Sequence, residues 1–393
     1  MPWKEKTVEE NRAEFVRQVK AKEGSMSALC REYGISRVTG YKWLKRSEKG
    51  ESMSDQSRAP FNTPARIAAE VEERIVGMRT AEPALGAKKI RKMMQNDGQT
   101  DLPAISTINA VLKRNGLITK QASEAAEHYT RFQKDEPNEM WQADFKGNFL
   151  MGNGKRCHPL SIIDDCSRFC VCADAKGNEQ LLSTKESFVN TFREFGLPKS
   201  ILCDNGTPWG SSQSTSITRF EVWLMELGVL TLHIRNHYPQ CQGKVERFNG
   251  SYKRERLNFY VPHDMEDAQR CREEYKNFYN NIRPHEGIDM DTPAQRYSRS
   301  EREFTEAVTP WEYESGGVLR KVKSSGYFSF EGQGYYLSEG LGNKEVMLFP
   351  CEGKDGWFDV VFREFTVAKL SLSDRTIRSR RVYLRYGDPR EKV

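Results

Sequence analysis

The sequence predicts a multidomain fold in which all-α helix-turn-helix units precede an α/β core and a C-terminal all-β barrel. Three observations carry this reading. With 393 residues the chain exceeds what one ordinary hydrophobic core organises, so roughly two to four domains are expected. The N-terminal part shows apolar residues at helical spacing, punctuated by capping residues and glycines. Further on, short apolar runs alternate with helical stretches, and after Pro310 apolar and polar residues alternate between glycine-containing turns.

Residues 1–50 make the first helix-turn-helix unit, with three short helices across residues 8–46. The first helix carries Val8, Phe15, Val16 and Val19 on a broad apolar face. Ser27 is positioned to cap a segment over 28–33, Gly34 to close it in a left-handed conformation, and Ser36 to cap the next helix. In that helix the spacing of Val38, Tyr41 and Leu44 directs them inward, leaving Arg37, Thr39, Lys42, Lys45 and Arg46 outward. A basic outward face suits the major groove of DNA, and Arg37, Lys42 and Arg46 are the expected base-reading contacts. The plain competitor is a solvated three-helix bundle, since charged outer faces are common.

A polar linker over 51–61 leads to a second helix-turn-helix-like DNA-binding unit at 62–120. Its helices are marked by Ile67, Val71, Ile75 and Met78, by Ile90, Met93 and Met94, and by Ile108, Val111 and Leu112 after a capping Ser106. A charged linker at 121–137 precedes the α/β core, residues 138–300. Strands are expected at 140–149, 160–163, 169–173, 201–203 and 229–234, and helices at 181–195, 220–226, 243–259 and 266–282. Residues 301–393 form the small β-barrel domain.

Composition excludes more than it selects. The net charge of +6 is modest for a nucleic-acid binder, but Lys and Arg crowd residues 42–46, 88–92, 253–256 and 375–385, so several surfaces could meet phosphate. A mean hydropathy of -0.74, the lack of a long apolar stretch and the polar N-terminus exclude a membrane span and a signal peptide, implying a cytoplasmic protein. Nine cysteines without a disulfide-like framework are expected to be reduced thiols. No zinc site is expected, and none of the His/Cys type can precede His128, the first histidine. No glycine-rich loop of the GxxxxGK[ST] type marks an ATP site.

Three acids stand in distinctive contexts. Asp144 lies within the strand segment Trp141-Gln142-Ala143-Asp144-Phe145, where a lone carboxylate needs compensation. Asp204 follows the apolar Ile201-Leu202-Cys203 and opens Asp204-Asn205-Gly206, which alone is turn chemistry. Glu246 stands in Gln242-Gly243-Lys244-Val245-Glu246-Arg247-Phe248, where alone it is a solvated helix residue. Asp164 and Asp165 are rivals, but adjacent strand residues face opposite ways, and turn formation or pairing with Arg168 accounts for them. His237, Arg283 and His285 fit DNA contact and domain packing equally well.

Together these contexts, with Asp164-Asp165-Cys166-Ser167-Arg168, Asn281-Ile282-Arg283-Pro284-His285 and Thr292-Pro293-Ala294, resemble the DDE transposases and integrases with a retroviral-integrase-like core. With the N-terminal units added, nearly the whole chain is similar to bacterial insertion-sequence transposases. The resemblance implies an α/β ribonuclease H-like catalytic core in which Asp144, Asp204 and Glu246 bind Mg²⁺, with Mn²⁺ as an alternative, and catalyse DNA cleavage and strand transfer without ATP. It implies terminal inverted repeats and target DNA as partners, and self-association into a dimer or higher multimer on DNA. Lys253 follows Glu246 by seven positions and Asn249 by four, so all three should share a helix face, with Asn249 and Lys253 as further DNA contacts. Two departures stand out: Asp204 and Glu246 are 42 positions apart, longer than is usual and implying a loop insertion around 210–218, and Cys241 replaces an expected threonine. Two other readings compete, a catalytically silent transposase-derived DNA-binding regulator and a ribonuclease H-like nuclease for hybrids or branched DNA.

Overall fold

The computed structural model describes residues 7–55, 67–118, 133–210, 216–234, 242–378 and 382–385. The chain forms two compact units, Met1–Arg66 and Ile67–Val393.

In the first unit, α1 (Val8–Lys20), α2 (Met26–Glu32) and α3 (Arg37–Glu48) enclose Phe15, Val16, Leu29, Cys30 and Trp43. Ser25, two residues before the expected Ser27, caps α2 by accepting a hydrogen bond from the Ala28 N–H, because Met26 packs against this core and belongs to the helix. Gly34 has φ +63° and Ser36 caps α3, as the spacing predicts. The rotation of α3 differs from expectation. Gly40 and Trp43 face inward, whereas Val38 and Tyr41 are 81% and 58% exposed. At Gly40 the helices approach so closely that a Cβ would lie 2.7 Å from Cys30 Sγ, and the large Trp43 ring takes the inward position one turn later. Arg46, expected among the base contacts, instead lies 4.8 Å over the Trp43 ring with its side chain only 11% exposed.

The second unit opens with α4 (Ala69–Ala81), α5 (Ala87–Asn96) and α6 (Ile105–Arg114). Ala104, not Ser106, occupies the cap position of α6, since Ile105 already lies in the helix. The buried residues Ile75, Ile90, Met94, Ile108 and Val111 form a cluster continuous with Val245, Phe248, Tyr252 and Tyr275 of the α/β layer. Arg256 clamps Glu82 across this contact at 2.8 Å.

The α/β layer comprises β1 (Met140–Phe145), β2 (Phe149–Leu150), β3 (Arg156–Asp164), β4 (Cys170–Lys176), α7 (Leu181–Phe195), β5 (Ser200–Cys203), α8 (Arg219–Glu226), β6 (Leu230–His233), α9 (Gly243–Tyr252), α10 (Met265–Asn281) and α11 (Pro293–Arg296). The sheet runs β4-β3-β1-β5-β6, with β1, β5 and β6 parallel and β3 antiparallel to both neighbours; β2 pairs with the start of β3. Successive residues of β1 face opposite sides. Trp141 and Ala143 pack with Phe188, Phe192 and Phe220 of α7 and α8, while Gln142 and Asp144 hydrogen-bond to α9.

The C-terminal strands are β7 (Val318–Lys321), β8 (Tyr327–Phe330), β9 (Gln333–Tyr336), β10 (Glu345–Pro350), β11 (Trp357–Phe362), β12 (Phe365–Ser371), β13 (Thr376–Arg378) and β14 (Tyr383–Leu384). The expected barrel is not closed. Among the described residues β13-β12-β11-β10-β7 form an open antiparallel sheet, β14 joins β12, and β8 and β9 pair only with each other. The apolar face is covered in part by Ile217, Val222 and Met225, the last two from α8, in place of closure of the sheet upon itself. No helix among the described residues is long and apolar enough to cross a membrane.

Candidate active site

The sheet register brings two of the acids abreast. Gln142 of β1 pairs in parallel with Leu202 of β5, and two residues further along each chain come Asp144 and Asp204. Because side chains repeat every second residue, both follow from ordinary strand geometry at the carboxyl ends of adjacent parallel strands. Asp204 Oδ1 then accepts the Gly206 N–H at 3.0 Å, and a Cβ at Gly206 would approach Asp204 Oδ2 to 3.2 Å. His233 Nδ1 lies 2.9 Å from the Asp204 carbonyl oxygen, and its Nε2 lies 2.9 Å from Glu221.

Helix α9 brings the third acid. Gln142 Oε1 accepts the Val245 N–H at 3.3 Å, and Gln242 Nε2 donates to the Ala143 carbonyl at 3.3 Å. Gln142 also donates to Asp165, which pairs with Lys244. One turn after this anchor, Asn249 Nδ2 donates to Asp144 Oδ2 at 3.0 Å. Glu246 precedes Asn249 by three residues and so lies on the same side of α9.

These positions are felt electrostatically. Asp144 is pushed up to about 7, first by burial and then by the negative charges of Asp204 and Glu246, against the opposing Asn249 hydrogen bond and Lys146. Asp204 and Glu246 are exposed, and among the described residues no group of three or more His, Cys, Asp or Glu side chains is already close enough together to hold a metal ion. The charges of Asp204 and Glu246 disfavour ionisation of Asp144, and a hard divalent cation, through its charge and oxygen preference, would answer that effect.

Behind Asp144 runs a buried chain of donors. Arg272 of α10 donates through Nη2 to Ser161 Oγ at 2.8 Å and to the Leu160 carbonyl at 2.7 Å. Ser161 Oγ donates to Asn249 Oδ1 at 2.7 Å, and Asn249 passes the polarity on to Asp144. The guanidinium of Arg272 also rests 4.9 Å from the Tyr252 ring centre. Asn249, expected among the DNA contacts, is therefore buried with its amide engaged on Ser161 and Asp144. Lys253 is exposed, at the start of a π-helical turn (Lys253–Leu257) that replaces the last part of the long helix expected here.

That turn directs Glu255 inward, where Arg283 pairs with it at 2.7 Å and Tyr275 donates to it. Arg283 and His285 are thus packing residues; burial, followed by the charge of Arg283, pushes His285 down to about 2. Asp164 caps its own turn through the Ser167 N–H and hydroxyl, and Arg168 donates to the Asp165 carbonyl oxygen. His237, Cys241 and residues 211–215 of the expected insertion lie outside the described residues.

Residues 134–239 match the integrase core domain family, residues 227–293 match a second integrase core domain description, and residues 11–61 match a helix-turn-helix domain. The chain carries an integrase core together with a helix-turn-helix domain. The two core matches include the positions of Asp144, Asp204 and Glu246. The chain has insertion-element relatives. The chain is 24% identical over 245 residues to the insertion element IS476 uncharacterized 39.2 kDa protein of Xanthomonas euvesicatoria, covering 60% of this chain and 66% of that one. It is 26% identical over 159 residues to the insertion element IS407 uncharacterized 31.7 kDa protein of Burkholderia multivorans, covering 40% and 55%. The chain thus spans less than two thirds of the length of either relative. Similar solved structures include the HTLV-2 integrase catalytic core domain in complex with magnesium, with 20% identity, TM-score 0.33, and 42% and 100% coverage of this chain and that one. A chain of the simian T-cell lymphotropic virus intasome in complex with PP2A regulatory subunit B56 gamma has 16% identity, TM-score 0.35, and 79% and 98% coverage.

Proposed function

We propose that this chain is a DNA transposase that binds the terminal inverted repeats of an insertion sequence, cleaves the element ends and joins the freed 3′-hydroxyls to target DNA. The carrying observation is the placement of Asp144 and Asp204 at the ends of adjacent parallel strands with Glu246 on the helix whose Asn249 bonds to Asp144, near enough that the charges of Asp204 and Glu246 both disfavour ionisation of Asp144. Asp144, Asp204 and Glu246 would hold Mg²⁺, or Mn²⁺ in its place, and the bound ion supplies Lewis-acid activation of the attacking oxygen and stabilisation of the leaving one. Asn249, held by Ser161, orients Asp144 and favours its charged form. Lys253 positions the phosphate beside the scissile bond, and Arg37 and Lys42 of α3 contact the end DNA.

Hydrolysis breaks the P–O3′ bond at the element end and leaves a 3′-hydroxyl on the element. In joining, that oxygen forms a bond to a target phosphorus as the target's own P–O3′ bond breaks. One phosphodiester replaces another, so ATP is not needed. Both reactions belong to the same site, in a protein acting on DNA in the cytoplasm and self-associated as a dimer or higher multimer.

The test incubates the purified full chain with Mg²⁺, a supercoiled plasmid and labelled duplexes bearing the DNA that flanks its reading frame. Joined plasmid product from those duplexes, but not from scrambled ones, is the expected result. Selective binding without joining would replace this reading with that of a silent DNA-binding regulator.

A further inference from the structure

The outward face of α3 has a composition that the basic-face expectation does not describe. At 100° per residue, Val38, Tyr41, Lys42 and Lys45 follow one another at i, i+3, i+4 and i+7 and form a single stripe. All four are exposed, and Val38, the most exposed large hydrophobic among the described residues of this unit, sits one residue into the helix. The rotation that presents them is fixed from the opposite side. Gly40 touches Cys30 and Phe15 so closely that no other side chain fits, and Trp43 is buried under Arg12 and Arg46. Val38 and Tyr41 therefore cannot turn into the core without moving α3 away from α2.

The surroundings specify the occupant. Arg37, Lys42 and Lys45 flank the apolar pair, and the first two turns carry no acid; Glu48 stands at the far end of the helix. Cations beside exposed apolar groups suit a partner that is polyanionic outside and carries small apolar groups within reach. The major groove of DNA has this character, and the thymine C5-methyl is its one apolar group. Residues near the N-terminus of a recognition helix are those that reach base edges.

We propose that Val38 and Tyr41 read thymine methyl groups in the major groove of the end DNA, with Arg37, Lys42 and Lys45 holding the flanking phosphates or neighbouring base edges. This rests on the DNA-binding part of the proposed function and adds which bases α3 selects and by what contact. Sequence preference at these positions comes from desolvated methyl contacts, so Val38 and Tyr41 set specificity while the cations set affinity and its salt dependence.

Uracil differs from thymine only by that methyl group, which makes a direct test available. The full chain selects from a random-sequence duplex pool, and the most enriched duplex is resynthesised with each thymine of the bound region replaced singly by deoxyuridine. Wild-type binding is expected to weaken about fourfold at each contacted thymine, the factor given by exposing one buried methyl-sized group. Val38→Ala and Tyr41→Ser should each lose sensitivity to at least one of those replacements while melting at the wild-type temperature, because both side chains are solvent-exposed in the free protein. Equal wild-type affinity for thymine and uracil duplexes overturns the inference. So does full methyl sensitivity in both variants, or a loss of self-association in Val38→Ala with methyl sensitivity unchanged, which would assign the stripe to a second copy of the chain. Failure to enrich any duplex would remove the DNA-recognition reading itself and this inference with it, whereas an enriched duplex indifferent to its methyl groups removes the inference alone.

Discussion

Asp144→Asn removes one charge from the candidate site and preserves its shape, since the new amide oxygen can still accept the hydrogen bond from Asn249. In the folded protein Asp144 is raised from the ordinary 3.8 to about 7 by burial and by Asp204 and Glu246. The sign follows directly. The folded state favours the protonated carboxyl, so stability falls as pH rises from about 4, where the unfolded carboxyl ionises, and the loss is complete once pH has passed through the folded value of about 7; below the unfolded value there is no effect. At about 1.4 kcal/mol per pH unit, the interval sets a ceiling of about 4 kcal/mol. Asp204 and Glu246 are exposed to water and salt, which screens their share, so about 2 kcal/mol is the expected net effect. Melting of the full chain in chelator should show the variant more stable than wild type at about pH 8, with the gap closing towards about pH 4. Millimolar Mg²⁺ should then raise the wild-type melting temperature more than that of the variant. A gap that does not change with pH, or a variant less stable than wild type at the higher pH, would refute the claim that burial and the neighbouring Asp204 and Glu246 disfavour the ionised form of Asp144 in the folded protein.

Asn249→Ala removes the donor to Asp144 and leaves the Ser161 hydroxyl without its acceptor, so joining should fall about 10- to 100-fold while binding of end DNA is retained. Unchanged joining at limiting Mg²⁺ would count against the donor chain. Lys253→Ala should lower joining at least about tenfold, equivalent to roughly 1.4 kcal/mol, without altering end binding in a gel-shift assay; wild-type joining at limiting DNA would return Lys253 to the solvated surface. Arg283→Leu strands the buried Glu255 carboxylate and should destabilise the second unit by about 3–5 kcal/mol in urea, with much of the loss recovered in Glu255→Met/Arg283→Leu. A loss below about 1 kcal/mol would show the pair to be effectively solvated.

The elements that local pattern determines were legible in the sequence. Residues 181–195 carry helical spacing up to Gly196, and α7 has those bounds, with Gly196 at φ +78°. The short apolar run before Asp204 is β5, and the face shared by Glu246 and Asn249 follows from three-residue spacing. Rotation of α3 was legible only at Leu44, which packs against the core as expected; Val38 and Tyr41 repeat at the same interval as Gly40 and Trp43. Only the close approach at Cys30 decides between the two faces, and that is a contact between helices.

The target of Asn249 was hidden for a related reason. It depends on Ser161, which stands opposite Asp144 in a strand pairing that no local pattern encodes. Arg272 was missed because amphipathic reasoning assigns charged residues to water, yet it is buried behind that serine. Gln142 could have been found, since it lies two residues before Asp144 and must share its face. Alternation located the C-terminal strands but could not distinguish a closed barrel from an open sheet covered in part by α8.

The central claim is that Asp144, Asp204 and Glu246 form one site for DNA strand transfer. Its most direct test is the joining of pre-cleaved, labelled element ends to a plasmid in Mg²⁺ by the wild-type chain and by Asp144→Asn, Asp204→Asn and Glu246→Gln, with end binding measured in parallel. The account predicts joined product from the wild type, none from any of the three variants, and near wild-type end binding in all four proteins. Joining at the wild-type rate by any one variant would contradict it and remove that residue from the site.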